Sequence, residues 1–130
     1  MSKRVAGTET ARPYLPSKDF TLSARFYETL GFEPLLLADD IAIFRVGRSE
    51  FLLQSRYNKE WAENAMMQLM VDDLDQWWHA IQALDLPGQF GVVPPTPPAV
   101  QPWGLRIAYV VDPAGVLWHV AQRRPGTSHD

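Results

Sequence analysis

The chain has 130 residues, 46% of them hydrophobic and none of them cysteine, and its formal net charge is −3. This composition is sufficient for one compact domain, and the absence of cysteine excludes disulfides, thiolate nucleophiles and cysteine zinc sites. The small negative charge argues against nucleic acid as a partner. Because neither an apolar run of about 18 residues nor a signal-peptide core occurs, we expect no membrane span and a cytoplasmic protein.

The first half of the chain predicts one helix followed by three strands. Residues 1–9 predict a flexible tail, and the prolines of Ala11–Pro16 restrict that segment to an extended conformation. Asp19 is typical of an N-cap, and the apolar spacing predicts an amphipathic helix over Asp19–Leu30. Three strand-like segments complete this half: Leu35–Ala38, Ile41–Val46 and Glu50–Gln54.

The same order begins again in the second half. Met66–Val71 predicts a strand, Asp72 or Asp73 an N-cap, and the next apolar residues form the stripe of a second helix. A proline-rich connection, mostly non-helical, leads to Trp103. The pattern predicts two similar modules in one compact domain, with these boundaries: a first module at 10–57, a linker at 58–64, a second module at 65–123 and a tail at 124–130.

The end of the second module predicts a hairpin. Two β-rich arms flank the turn Asp112-Pro113-Ala114-Gly115, in which Asp112 can cap the turn with its own carboxylate. Strand alternation predicts that Leu117, His119 and Ala121 point to one face of the sheet and that Trp118 and Val120 point to the other. One face would meet the core, and the other is free to line a cavity.

Four short motifs carry a resemblance to a known superfamily. They are Phe-Tyr-Glu-Thr-Leu-Gly-Phe at residues 26–32, Gln-Pro-Trp-Gly at 101–104, Asp-Pro-Ala-Gly at 112–115 and His-Val-Ala at 119–121. With the repeated modules, they resemble the vicinal oxygen chelate superfamily of glyoxalases, dioxygenases and fosfomycin and bleomycin resistance proteins, and the bleomycin resistance proteins most. The resemblance implies an α+β fold of two βαβββ modules that form a cup-shaped, curved mixed sheet with helices outside.

The resemblance also gives positions for the metal ligands of the superfamily's enzymes. These fall on Arg12, Gln54, Met66 and His119, of which only His119 is a good ligand for a divalent cation. A catalytic site needs about three protein ligands. We therefore expect no metal, no other cofactor and no catalytic residue. The alternative is an enzyme of glyoxalase or dioxygenase type, with a metal held by His119, Gln54 and further partners.

Aromatic residues are the stronger signal for function. The resemblance places Trp103 at the mouth of a cleft, where a planar ligand can stack for about 0.5–1.5 kcal/mol beyond burial; a turn plug or a dimer contact is the competing interpretation. Trp77 and Trp78 lie on a helical stripe and are more simply core residues. The predicted ligand-binding residues are Trp103, Trp61, Phe32, Phe44, Gln54, Tyr109 and His119, with His119 either a hydrogen-bond donor in the cup or a buried, satisfied residue.

The resemblance implies a homodimer with the pocket at the subunit interface and a first strand that partners can exchange. No lysine or arginine occurs between Lys59 and Arg106, so part of the surface is acidic, as a helix start or as a patch that attracts cations. The leading hypothesis is a non-catalytic protein that sequesters a flat, cationic or amphipathic small molecule, such as a bleomycin-type antibiotic. A third hypothesis is a scaffold domain with a vestigial cup.

Overall fold

The structure is a computed structural model that describes residues 5–122; the predicted tail 124–130 and the first four residues of the predicted tail 1–9 lie outside the described residues. Strands and helices alternate in the same order twice. The elements are β1 (Tyr14–Pro16), α1 (Phe20–Thr29), β2 (Glu33–Leu37), β3 (Ile41–Val46), β4 (Ser49–Gln54), α2 (Lys59–Asn64), β5 (Met66–Val71), α3 (Leu74–Ala83), α4 (Leu86–Phe90), β6 (Thr96–Val100), β7 (Arg106–Val111) and β8 (Leu117–Gln122).

The strands form two four-stranded sheets with identical topology. The first sheet has the order β1-β4-β3-β2 and the second has the order β5-β8-β7-β6. In each sheet the first strand of the module runs parallel to the last, and the other pairs are antiparallel. The predicted α+β fold of two βαβββ modules is confirmed. Among the described strands none pairs across the two sheets, so β1 and β2 are the edges of the first sheet and β5 and β6 those of the second.

The two main helices begin at equivalent aspartates. The carboxylate of Asp19 accepts a hydrogen bond from the backbone N–H of Leu22 at 3.1 Å, and that of Asp73 accepts one from Gln76 at 3.0 Å. Both aspartates have extended backbone, as N-caps do. Because these caps are equivalent, a residue in or just before β1 corresponds to the residue 54 positions later in the chain, which lies in β5.

Three elements were not predicted, and each has a local cause. Helix α2 fills the predicted linker because Asn58 caps it, accepting from the N–H of Trp61 at 2.9 Å. Helix α4 is capped by Asp85, which has a left-handed backbone with φ of 50° and whose carboxylate accepts a hydrogen bond from the N–H of Gly88. Strand β6 lies within the proline-rich connection, and its prolines are tolerated because this strand is at the edge of its sheet.

The core is shared by both modules and is rich in aromatic rings. Around the fully buried ring of Tyr27 in α1, five other rings have centroids within 5.8 Å: Phe26, Phe32, Phe44, Phe51 and Trp118. Trp118 belongs to the second module, so the first helix packs directly against the last strand. The two modules are therefore one folding unit in physical terms, because neither buries its own core alone.

A buried polar contact joins the modules at the same place. The hydroxyl of Tyr27 donates to Asp112 at 2.5 Å and accepts from the indole N–H of Trp118 at 3.1 Å. The other oxygen of Asp112 accepts three backbone N–H bonds at 2.9 Å within the hairpin turn, as the sequence predicts for a carboxylate cap. Burial raises the pKa of Asp112, although these hydrogen bonds act in the opposite direction, and burial also raises the pKa of Tyr27.

Candidate ligand site

Each sheet has one face against the shared core and one face turned away from it, which we call the helix-free face. In the second sheet the core face carries Ala108 and Val120, which pack with Leu74 of α3. Ladder partners share a face, so His119, Tyr109 and their neighbours lie on the opposite, helix-free face. The two helix-free faces are the surfaces on which a cup can be built.

The centre of the second helix-free face is a row of three polar side chains. Gln68, His119 and Tyr109 lie side by side on β5, β8 and β7. The rings of Tyr109 and His119 pack edge to face, with centroids 4.9 Å apart. The Nε2 atom of His119 is buried and has no hydrogen-bond partner among the described residues. Leaving such a group unpaired costs about 1–3 kcal/mol, so this nitrogen lowers the stability of the fold as long as it lacks a partner.

Two methionines flank this row on β5. Met66 is 65% exposed and Met70 is 40% exposed. On β8 they pair with the apolar residues Leu117 and Ala121. The residues around the polar row are therefore apolar. A surface of this composition suits a largely apolar ligand with a few hydrogen-bonding groups.

The first helix-free face differs in being charged. Arg12 donates to Oε1 of Glu50 at 3.0 Å, and Arg45 lies 3.8 Å from Oε2 of the same carboxylate. Arg45 also approaches Glu33 at 3.7 Å. Both oxygens of Glu50 thus face a guanidinium, and this carboxylate is already neutralised.

The residues at the superfamily's metal-ligand positions do not suit a divalent cation. Arg12 in the first module and Met66 in the second occupy equivalent positions, counted from the two helix caps. The residue of the first sheet that corresponds to His119 is Leu52, two residues before the predicted Gln54. Only His119 in this set is a good ligand. Within residues 5–122 no group of three or more His, Cys, Asp or Glu side chains is placed to hold a metal.

Trp103 stands on a closed turn between β6 and β7. The N–H of Gln101 donates to the carbonyl of Leu105 and the N–H of Gly104 to that of Gln101, both at 2.8 Å. Gly104 has a φ of 91°, a conformation that few other residues adopt. The indole is 61% exposed. The turn therefore presents a large aromatic side chain to solvent from a hydrogen-bonded support.

The other predicted residues are dispersed. Phe44 is fully buried and stacked on Phe51, so it has no surface to offer a ligand in the single chain. Phe32 is 9% exposed and lines a cavity of about 480 Å³ between the modules. Trp61 lies half-buried in the first turn of α2, and Gln54 lies half-buried at the end of β4. The structure brings Tyr109 and His119 into contact and shows no contact among the rest.

A larger cavity of about 720 Å³ lies along the free edge of β5. Its lining comes from the β3–β4 turn and the strand ends beside it, from β5 and from Trp118 of β8, and it includes Glu50, Gln68 and Met70. These residues were missed as site candidates. Gln68 could have been singled out from the sequence, because it is the one polar side chain in the apolar segment Met66–Val71, but only the register of β5 on β8 places it beside His119.

The comparisons with known proteins agree with this fold. The Glyoxalase/Bleomycin resistance protein/Dioxygenase superfamily matches residues 9–120. A bleomycin resistance protein of Klebsiella pneumoniae is 29% identical over 119 residues, which is 88% of this chain and 93% of that protein. No helix among the described residues is long and apolar enough to cross a membrane.

Solved structures give the same result. A bleomycin-binding protein complexed with bleomycin has a TM-score of 0.74 and 28% identity, covering 90% of this chain and all of that one. The copper(II)-bleomycin complex of the binding protein from bleomycin-producing Streptomyces verticillus has a TM-score of 0.74 and 26% identity, covering 95% and 100%. On the match over residues 9–120, this chain belongs to the Glyoxalase/Bleomycin resistance protein/Dioxygenase superfamily.

Proposed function

We propose that this protein binds and sequesters a flat, cationic or amphipathic small molecule of the bleomycin type without transforming it. The observation that carries the proposal is Trp103, an exposed indole on a closed turn that leads directly into β7. Three residues into the following strand lies Tyr109, in contact with His119. Together they offer a ring for stacking beside the polar row of Gln68, His119 and Tyr109, of which Gln68 is exposed.

The pocket is proposed to form between two copies of the chain. Both helix-free faces leave apolar side chains in solvent, with Tyr14 at 52% and Leu36 at 47% exposure on the first sheet and Met66 at 65% on the second. Contiguous exposed apolar surface of this kind marks an interaction site. In a homodimer, the charged face of one chain would meet the neutral face of the other.

The free edges of the sheets support the same arrangement. β1 and β5 each pair on one side only, and the segment 5–13 before β1 is exposed throughout. A strand edge that lacks a partner is a template for another chain. The cavity beside β5 gives such a segment a place to lie, so the proposed dimer includes exchange of the first strand as one form.

Acidic surface is proposed to attract a cationic ligand. Asp72 and Asp73 are exposed near the start of α3, whereas Asp75 is paired with Arg106 at 2.5 Å. Exposed acids raise the local concentration of cations, an effect that salt screens. A cytoplasmic location and the absence of a resident metal remain predictions, and elemental analysis of protein purified without chelators tests the second.

Calorimetric titration with metal-free and with copper-loaded bleomycin tests the binding proposal. We expect Trp103→Ala to weaken binding about tenfold or more, because stacking and apolar burial are both lost. Trp103→Phe should retain part of the affinity. Tyr57→Ala, which removes another exposed aromatic outside the turn, serves as the matched control.

Two results would count against the proposal. No heat with either form of bleomycin at high micromolar concentration excludes bleomycin as a ligand, and unchanged affinity in Trp103→Ala removes the stacking role. Sedimentation of the free protein tests the dimer separately. A monomer at these concentrations would leave each helix-free face open and contradict the interface pocket.

A further inference from the structure

One strand of the second module presents two methionines to the helix-free face and turns the third away. Met66 and Met70 are 65% and 40% exposed on either side of Gln68. Met67, between Met66 and Gln68, points to the other face, where it is half-buried, packs against the shared core and lines the cavity of about 720 Å³. The three thioethers of β5 therefore differ in access to solvent although they lie within five consecutive residues.

We propose that Met66 and Met70 form an oxidation site through which hydroperoxides control ligand binding; this control rests on the proposed function, because their face is the proposed ligand surface. Each thioether sulfur donates an electron pair to a peroxide oxygen. The sulfur–oxygen bond forms as the oxygen–oxygen bond breaks, and the proton passes to the leaving oxygen. With hydrogen peroxide the products are a methionine sulfoxide and water, a two-electron oxidation of sulfur.

The surroundings of these side chains make the oxidation consequential. Met66 pairs with Leu117 and Met70 with Ala121, so both thioethers lie on an apolar part of the face. A sulfoxide is polar and chiral, and an apolar ligand that covers it must desolvate its oxygen. Gln68 is the polar side chain between them on β5, and it is also the neighbour of His119. Oxidation thus replaces soft apolar contacts with unpaired acceptors around the polar row.

Peroxide treatment followed by peptide mass spectrometry tests the selectivity. We expect sulfoxide to form several-fold faster at Met66 and Met70 than at Met67, because attack requires an accessible sulfur. After catalase removes the peroxide, titration of metal-free bleomycin should show affinity reduced about tenfold. Methionine sulfoxide reductases for both epimers should restore it.

The double variant Met66→Leu, Met70→Leu is the matched control. Leucine and methionine have similar volumes and leucine has no sulfur to oxidise, so whatever affinity this variant has before treatment should be the same after peroxide. The variant Met67→Leu should remain as sensitive as the parent. This pair separates oxidation on the helix-free face from oxidation at the half-buried Met67.

The outcomes distinguish this inference from the proposed function. Equal oxidation rates at all three methionines, or full affinity in the oxidised protein, would overturn the inference. Failure of the untreated protein to bind bleomycin would instead contradict the proposed function. Selective oxidation at Met66 and Met70 in that same sample would still support the oxidation site itself, since it is measured without ligand.

Discussion

The two helix-free faces share one backbone plan and carry different chemistry. At corresponding positions the first sheet has Arg12 and Leu52 where the second has Met66 and His119. The first face is an exposed row of ion pairs, and the second is a neutral row with an unpaired histidine nitrogen. The two modules therefore share a strand topology, while the side chains on their helix-free faces differ in charge. A pocket made from one face of each kind would have a charged wall and a soft, neutral wall.

The largest effect should come from cutting the polar contact that joins the two modules. Asp112→Ala removes the acceptor for Tyr27 and for three backbone N–H groups, leaving buried donors unpaired. We expect the free energy of unfolding to fall by about 3–4 kcal/mol. Urea unfolding measures it. Tyr27→Phe keeps the ring and the three hydrogen bonds of the turn but leaves the Trp118 indole N–H and one Asp112 oxygen without a partner, so it should cost less, about 2 kcal/mol. Equal losses in both variants would contradict this account.

The neutral face should respond to removal of its unpaired nitrogen by becoming more stable. His119→Leu replaces a side chain whose Nε2 is buried without a partner by an apolar one of similar size. We expect the free energy of unfolding to rise by about 1 kcal/mol, while bleomycin binding weakens. Gln68→Leu, on the same row but exposed, is the control and should leave stability nearly unchanged. A loss of stability in His119→Leu would show that the nitrogen has a partner in solution.

The charged face should contribute less. The side chains of Arg12 and Glu50 are 34% and 26% exposed, so solvent screens their ion pair. A double-mutant cycle with Arg12→Gln and Glu50→Gln should give a coupling energy of about 0.5 kcal/mol that shrinks in high salt. A coupling several times larger and independent of salt would mean that the pair is buried, as it would be inside an assembled cup.

A final and subtler test concerns the ionisation of Asp112. Its pKa is raised by burial, so the folded protein holds the proton more tightly than the unfolded chain does. The stability gained from protonation is fully present below the unfolded pKa of about 3.9 and is lost as pH rises through the folded pKa. Relative to Asp112→Asn, the parent should therefore lose stability as pH rises in this window. The opposite slope would show that the four hydrogen bonds outweigh burial.

Much of the fold could be predicted from local rules. The caps at Asp19 and Asp73, the strands Ile41–Val46 and Met66–Val71 and the capped turn at Asp112 follow from short-range sequence signals, and the structure has them where they were predicted. Helix α4 was missed because its N-cap, Asp85, has a left-handed backbone, which is uncommon for a residue other than glycine. Propensity alone does not indicate such a residue.

The candidate site was harder to predict, because strand alternation leaves open which face meets the core. Phe44 and Tyr109 are both aromatic residues inside strands, yet one lies fully in the shared core and the other on a helix-free face. The partners of Glu50 also depend on register, since Arg12 is 38 residues away in the chain. Only the pairing of β1 with β4 brings these charges together, and no local signal specifies it.

The closed turn beneath Trp103 has a consequence for the range of compounds that such a protein would counter. If the proposed function holds, an indole carried on such a preformed turn would select for flatness more than for particular substituents, so chemically related antibiotics would bind at the same place. A protein that binds one antibiotic molecule per pocket without degrading it would protect its host in proportion to the amount of protein present. Tolerance of the host should then scale with expression level and fail abruptly once the dose exceeds the number of pockets.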